Sequence, residues 1–411
     1  MDPSVEHLSF YAAPWLMTGA GELSHLFDPL PTGIADLCRV VQGLLIHPLI
    51  NEWYGVDLTS TQKKEVNIRP VSEMLRLVNR LDPRPLSEPR PVDERVVGNC
   101  RDHAVLLCAM LRHQGRPARA RAGFAAYLTE QMISNHWITE YWDAAQRRWV
   151  QVDPQIDDLQ RKKLNITFAT TDLPAGQFYT GAQAWTACRK GKAKSGKFGH
   201  NRKRRGWPFM RMVLLQEIAS LNKVEVLAWD NWWELGIKQD DQVTAEERKF
   251  LDQIATAINA DNFDEISTLF DDPRIGRPLF SKLQTLGLNL PAAGAGDAGQ
   301  PSADGAPEGD PGPADDLAAP AAPSEGHTPL IKKTLLVSDL DRLAELAANA
   351  EGKSILDLPS SSEGHPGGNG YANGNGNGKN GTIDPDVIVV RGAQQHNLKH
   401  VNVTIPRNKL V

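Results

Sequence analysis

A cysteine, a histidine and an aspartate in the first half of the sequence have the side chains that nucleophilic catalysis requires. They follow one another as Cys100, His136 and Asp153. A thiolate can attack a carbonyl carbon, an imidazole can accept and return a proton, and a carboxylate can fix the imidazole tautomer. We therefore expect Cys100 to be the nucleophile, His136 the general base and later acid, and Asp153 the residue that orients the histidine. Each residue taken alone could instead be structural.

The residues after Cys100 predict the helix that would position its thiol. Apolar side chains recur at the spacing of one helix face, at Ala104, Leu107, Cys108 and Leu111. Gly115 and Pro117 predict the end of this helix, and residues 119–128 predict a strand after it. Cys100 falls on the same face in the first turn, where the positive end of the helix dipole favours a thiolate.

His136 and Asp153 lie in two aromatic and β-branched runs separated by a short polar break, which predicts a β-hairpin. With residues 143–146 as a four-residue loop, Trp142 pairs with Arg147, and His136 then lies directly opposite Asp153. Directly opposed residues have Cβ atoms about 4.5–5.5 Å apart, close enough for an imidazole–carboxylate hydrogen bond. A register slip of one residue would abolish this pairing.

These motifs resemble the core of the transglutaminase-like superfamily over residues 60–285. The segments that carry the resemblance are Gly98–Asp102, Leu111–Gly123, His136–Trp137 and Trp149–Pro154. Two further segments, Asp82–Leu86 and Leu221–Asp230, resemble a bacterial cytoplasmic subgroup of this superfamily. The resemblance implies an α+β, papain-like fold, in which the cysteine helix packs on an antiparallel sheet that carries the histidine and the aspartate.

The same resemblance implies acyl chemistry on an amide, through a thioester that is released to water or to an amine. Protease, deamidase, amidase and cross-linking activities all remain open, because one core serves them all. The expected substrate is a protein or peptide amide. The backbone N–H of Cys100 is the natural first donor to an oxyanion. The second donor is left open, with Trp53 and Trp185 as candidates.

A metal site is the first alternative for the residues near Cys100. This region contains side chains of the types that bind metals, but their spacing is not that of a zinc site. They are Cys100, His103, Cys108 and His113. The sequence therefore predicts no metal and no other cofactor.

A basic segment over residues 189–205 supports a second alternative, the binding of nucleic acid. It contains nine Lys or Arg residues and no acid, although the whole chain has a net charge of −5. The candidate contacts are Arg202, Lys203, Arg204 and Arg205. The simpler interpretation of this segment is a solvated loop.

The composition changes along the chain and predicts one domain of useful size. Residues 1–286 are expected to form this domain with its flanking helices. Residues 291–327 lack Lys and Arg and are rich in Pro, Gly and Ala, which predicts disorder. The expected remaining parts are a disordered linker over 287–330, a short helix within 331–352, a Gly- and Asn-rich linker over 353–385 and a two-stranded stub over 386–411.

The stub resembles the opening of the UvrA family, the damage-sensing excinuclease ATPases of nucleotide excision repair. In that family these strands lead into a phosphate-binding loop, whereas here the chain ends at Val411. We expect either the front part of a longer fusion or a truncated reading frame, without ATPase activity. The alternative function is a fragment of such a repair protein, with a non-catalytic, DNA-binding N-terminal module and a nucleic-acid partner.

The composition also excludes several classes of protein. No apolar run approaches the roughly 18 residues that span a bilayer, so no membrane partner is expected. The N-terminus lacks the basic and apolar regions of a signal peptide. The four cysteines have no paired spacing, which favours a reducing cytoplasm. The sequence does not indicate an oligomeric state.

Overall fold

The computed structural model describes residues 3–288, 387–393 and 401–406. The chain divides into two units, Met1–Ala303 and Asp304–Val411. The predicted linkers and the predicted short helix between residues 289 and 386 lie outside the described residues.

The first unit is built largely from helices. The α-helices are α1 Val5–Ala12, α2 Ile34–Leu44, α3 Val71–Leu81, α4 Cys100–His113, α5 Asp158–Lys163, α6 Gly181–Arg189, α7 Trp207–Leu221, α8 Glu234–Ile237, α9 Ala245–Asn259, α10 Phe263–Phe270 and α11 Gly276–Thr285. Short 3₁₀ helices cover Gly21–Phe27, Asn51–Tyr54, Gln62–Asn67, Val92–Glu94, Ser195–Lys197 and Asp240–Gln242.

The strands of the first unit form two sheets. They are β1 Leu45–Ile46, β2 Val96–Val97, β3 Ala118–Ala125, β4 Ile133–Asp143, β5 Arg148–Val152, β6 Phe178–Thr180 and β7 Phe198–Gly199. The larger sheet has the antiparallel order β5-β4-β3-β6, and β7 adds to β4 in the parallel direction. The small sheet is the parallel pair of β1 and β2.

The cysteine helix packs on the larger sheet, which confirms the predicted α+β fold class. Helix α4 lies against β3 and β4, and the Thr139 hydroxyl of β4 donates a 2.9 Å hydrogen bond to the Ala104 carbonyl of α4. Nearly all of α4 is buried, including Ala104, Leu107, Cys108 and Leu111. This burial exceeds the single apolar face that the sequence predicts, because α1, α2 and α3 also contact α4.

Helix α7 joins the same sheet through buried ionic contacts. The Arg121 guanidinium of β3 lies 2.6 Å from the Glu140 carboxylate of β4 and 2.5 Å from the Glu217 carboxylate of α7. All three side chains are almost completely buried. The Ser220 hydroxyl of α7 also donates to the Ala120 carbonyl at 2.7 Å.

The β4–β5 hairpin differs from its predicted register. Trp142 pairs with Trp149 instead of Arg147, and the loop consists of residues 144–147. The Asp143 carboxylate accepts hydrogen bonds from the backbone N–H groups of Ala145 and Gln146 inside this loop. Arg147 takes up a left-handed backbone conformation, with φ of 52°, so Asp143 remains paired within the strands and the register moves by two positions.

The second unit is described only through its strands β8 Val387–Ala393 and β9 Val401–Pro406. They pair antiparallel, with an irregularity between Val390 and Ala393. Two strands are also what the sequence predicts for this stretch. Its resemblance to the UvrA excinuclease family remains a prediction.

Candidate active site

Cys100 is the first residue of α4, and a capping box fixes the start of that helix. The Asn99 carboxamide accepts the Arg101 N–H at 2.8 Å, and the Asp102 carboxylate accepts the Asn99 N–H at 2.8 Å. These bonds satisfy amides that the first turn would otherwise leave without acceptors. Cys100 is buried but keeps 7% of its surface exposed, whereas Cys108 on the same helix is completely buried.

The buried Arg101 side chain anchors this first turn to neighbouring segments. Its guanidinium donates to the Arg69 carbonyl at 2.8 Å and to the Glu225 carbonyl at 3.1 Å, and it contacts the Asp102 carboxylate at 3.0 Å. Asp102 therefore caps the helix and also balances a buried cation. Movement of Cys100 would break several of these contacts together.

His136 and Asp153 are joined by a direct hydrogen bond, although their strands do not have the predicted register. His136 Nε2 lies 2.7 Å from Asp153 Oδ2. Asp153 follows the last residue of β5, and the observed register would place it beside Ile138 of β4, two residues from His136. A shift of two positions keeps the same strand face. The aspartate thus reaches the histidine diagonally rather than from the opposed position.

Two further groups hold the Asp153 carboxylate in this orientation. The Tyr127 hydroxyl donates to Oδ2 at 2.6 Å, and the Gln155 N–H donates to Oδ1 at 3.0 Å. Burial raises the pKa of Asp153, but the His136 charge and these hydrogen bonds outweigh burial, so the pKa lies below its ordinary value. Asp153 is completely buried and ionised at neutral pH.

The imidazole of His136 is hydrogen-bonded to the Asp153 carboxylate and lies near the Cys100 side chain. Burial lowers the pKa of His136, whereas the charge and hydrogen bond of Asp153 and the nearby Cys100 side chain raise it to about 10. The structure therefore brings Cys100, His136 and Asp153 together, with one direct hydrogen bond between the histidine and the aspartate. This arrangement can hold a proton on the imidazole beside the sulfur.

Several side chains around Cys100, His136 and Asp153 are not evident from the sequence motifs. Tyr127 follows β3 in an aromatic and apolar stretch, and nothing local indicates its bond to Asp153. His103 lies one turn after Cys100, and its Nδ1 is 2.8 Å from the Asn99 carbonyl. His47 follows β1, and its pKa responds to the charges of His103 and His136. His47 is separated from Cys100 by more than fifty residues, so local patterns cannot associate them.

The basic segment contributes no catalytic side chain but approaches β4. Strand β7 pairs with residues 133–134, just before His136. We call residues 200–205, which follow β7, the basic loop. Arg202, Lys203 and Arg205 are exposed in it, whereas Arg204 is half-buried. At the start of the segment, Arg189 forms a 2.8 Å ion pair with Asp252 of α9.

One candidate for the second oxyanion donor is wrong. The indole N–H of Trp185 in α6 donates to the Asp252 carboxylate at 2.8 Å, and the side chain is buried. This N–H is already used in packing α6 against α9. Trp53, the other candidate, lies half-buried in the 3₁₀ helix Asn51–Tyr54.

The described part of the protein contains neither a metal site nor a membrane-spanning helix. Across residues 3–288 no group of three or more His, Cys, Asp or Glu side chains is arranged to hold a metal ion. None of the helices described is both long and apolar enough to cross a membrane. A cavity of about 720 Å³ lies beside α2 and α5, and its lining does not include Cys100, His136 or Asp153.

Part of this chain is similar to one protein family. Residues 71–154 match the model of the transglutaminase-like superfamily, and this range contains Cys100, His136 and Asp153. A solved structure named "Putative Cysteine Protease" from Cytophaga hutchinsonii matches with 14% sequence identity and a TM-score of 0.24. That match covers 43% of this chain and 52% of the other, so this chain spans about half the length of that protein. No curated protein matches this chain.

Proposed function

We propose that this protein is a cysteine-dependent enzyme that acts on amide bonds. Its catalytic triad is Cys100, His136 and Asp153, within the transglutaminase-like residues 71–154. The observation that supports the proposal most directly is the 2.7 Å hydrogen bond between His136 and Asp153, with the Cys100 side chain near the same imidazole. The expected substrate is a protein or peptide amide, and the acceptor is water or an amine.

The chemistry assigns one task to each residue. His136 takes the Cys100 thiol proton, the sulfur attacks the amide carbon, the carbonyl electron pair moves to oxygen, and a tetrahedral oxyanion forms. When the intermediate collapses, the carbon–nitrogen bond breaks and His136 donates its proton to the departing amine. Water or an amine then attacks the thioester carbon while His136 accepts its proton, and the carbon–sulfur bond breaks so that the Cys100 sulfur is released. Asp153 keeps the imidazole oriented and stabilises its charged form.

The test compares the reactivity of two cysteines on the same helix. Cys108 is completely buried, and burial raises its pKa to about 12, so it provides an internal reference for Cys100. We expect iodoacetamide at neutral pH to label Cys100 faster than Cys108, as followed by mass spectrometry of the two peptides. His136→Ala should slow labelling of Cys100 about tenfold or more, because the group that holds the thiol proton is lost.

Cys108→Ala is the matched control variant, and it should leave labelling of Cys100 unchanged. Equal and slow labelling of both cysteines, unaffected by His136→Ala, would contradict the proposal.

Nucleic-acid binding by the basic loop is a second candidate function that does not depend on the cysteine. Its support is the exposure of Arg202, Lys203 and Arg205 on one loop. Arg204, also a predicted contact, is half-buried and so contributes less accessible charge. A DNA-repair role through residues 386–411 rests on their sequence resemblance alone.

A further inference from the structure

The parallel pairing of β1 with β2 places His47 beside the residues that lead into the cysteine helix. Ile46 pairs with Val97, and the Gly98 N–H donates to the Ile46 carbonyl at 3.0 Å. The two strands run in the same direction, so the chain after β1 continues alongside the chain after β2. His47 therefore lies next to Gly98, two residues before Cys100.

The alternation of side chains along β1 indicates which side of the pair His47 occupies. Leu45 and Val96 belong to the core cluster that contains Cys100. Ile46 and Val97 belong to a separate cluster on the other side. Successive residues of an extended chain point to opposite faces, so we expect His47, the residue after β1, to lie on the side of Leu45 and of the cluster that contains Cys100. His47 is half-buried, as a side chain bordering a substrate site should be.

Hydrogen bonding determines the tautomer of His47. The Leu49 N–H donates to His47 Nδ1 at 3.2 Å, so Nδ1 has its lone pair free to accept and the ring proton lies on Nε2. Burial and the charges of His103, His136 and His200 lower the pKa of His47 to about 3, with Asp153 opposing them. The ring is neutral at physiological pH, and its Nε2–H is a hydrogen-bond donor that does not titrate there.

We propose that the Nε2–H of His47 is the second oxyanion donor, acting with the backbone N–H of Cys100. This inference rests on the proposed function. The Cys100 N–H belongs to the first turn of α4 and has no intrahelical acceptor. During attack the carbon–sulfur bond forms and the carbonyl π pair moves to oxygen. His47 and the Cys100 amide stabilise that charge until the carbonyl re-forms and the leaving group departs. A neutral donor suits this task because it keeps its proton throughout.

The test separates attack on a carbonyl from attack on a saturated carbon. 4-Nitrophenyl acetate transfers its acetyl group to a thiolate through an oxyanion and releases 4-nitrophenolate, whereas iodoacetamide alkylates without forming an oxyanion. We expect His47→Leu to slow acetylation of Cys100 by about 10²–10³-fold, the usual effect of losing one oxyanion donor. Alkylation of Cys100 should stay within about twofold of wild type, since the triad is intact.

His47→Gln is the matched variant, because its side-chain amide retains an N–H donor and should restore part of the acetylation rate. His47→Phe keeps a planar ring without a donor, and it replaces His47→Leu if the latter does not fold. Wild-type acetylation rates in both donor-free variants would overturn the assignment, as would an equal loss of acetylation and alkylation. Failure of the proposed function looks different, since wild-type Cys100 would then react no faster than Cys108 with either reagent.

Discussion

At the scale of single residues, Asp153 determines whether the His136 imidazole is charged. Its carboxylate is completely buried, and Tyr127, Gln155 and His136 all donate to it. A buried carboxylate that is fully hydrogen-bonded stays ionised and holds a proton on the neighbouring imidazole. The sequence predicts Cys100, His136 and Asp153 as the candidate site residues, and the structure joins His136 to Asp153. Tyr127 is not, because its bond to Asp153 spans 26 residues and depends on the loop after β3.

Replacing Asp153 by Asn should lower the pKa of His136 from about 10 towards or below its ordinary value of 6.5. The reason is that burial alone disfavours the charged imidazole, and the opposing charge is gone. Nuclear magnetic resonance titration of the His136 ring protons measures the change. Tyr127→Phe is the control, since it removes one hydrogen bond to Asp153 but leaves the charge, and the pKa of His136 should stay raised.

The same coupling gives a pH dependence of stability. A histidine whose pKa is higher in the folded chain than in the unfolded chain stabilises the fold. This stabilisation is complete at pH values below the unfolded pKa of 6.5, and it is lost as the pH rises towards 10. The free energy of unfolding of wild type should therefore fall over this range, whereas that of Asp153→Asn should fall much less. Parallel curves for the two proteins between pH 6.5 and 10 would contradict this account.

At the scale of secondary structure elements, local signals determine how much of the fold is predictable. The start of α4 is evident because Asn99 and Asp102 cap it and apolar residues follow at helical spacing. The β4–β5 register is harder to predict from the sequence, because the Asp143 hydrogen bonds and the left-handed Arg147 move the loop. The β1–β2 pair is the hardest to predict. It joins two-residue strands about fifty residues apart, so no periodicity indicates that His47 lies beside Gly98.

The buried contact between β3 and α7 gives a prediction at this scale. Arg121 has Glu140 and Glu217 as ionic partners, and Glu217 also accepts the Ala182 N–H at 2.7 Å. Glu217→Leu leaves the buried Arg121 with only Glu140, which Arg119 also contacts, and leaves the Ala182 amide without its acceptor. We expect a loss of about 3–5 kcal/mol in the free energy of unfolding, measured by urea denaturation.

The matched control for that experiment is an ion pair on the surface. Arg148 and Asp172 are both more than 40% exposed, so water already screens their interaction. Asp172→Ala should change the free energy of unfolding by less than about 1 kcal/mol. Similar losses for the two variants would show that the contact between β3 and α7 is not the stabilising feature.

At the scale of the whole molecule, charge is distributed unevenly. The net charge of −5 combines the nine cations of residues 189–205 with an acidic remainder. An acidic chain repels a polyanion at long range, and only a local concentration of cations can reverse this effect. The second candidate function therefore depends on the basic loop rather than on the molecule's overall charge.

That candidate predicts binding of duplex DNA at low salt that weakens steeply as salt is added, measured by fluorescence anisotropy. Combined replacement of Arg202, Lys203 and Arg205 by Gln should reduce the slope of log affinity against log salt by about 2.7, because three phosphate contacts are lost. Combined replacement of Lys190, Lys192 and Lys194 by Gln removes the same charge outside the loop and should have a smaller effect. Iodoacetamide labelling of Cys100 should be unchanged in both triple variants, because neither set includes a triad residue. Two results would contradict this candidate: no DNA binding by wild type at low salt, or an equal loss of DNA affinity in both triple variants. In either case the basic loop has no specific affinity for phosphates, and only the cysteine chemistry keeps structural support.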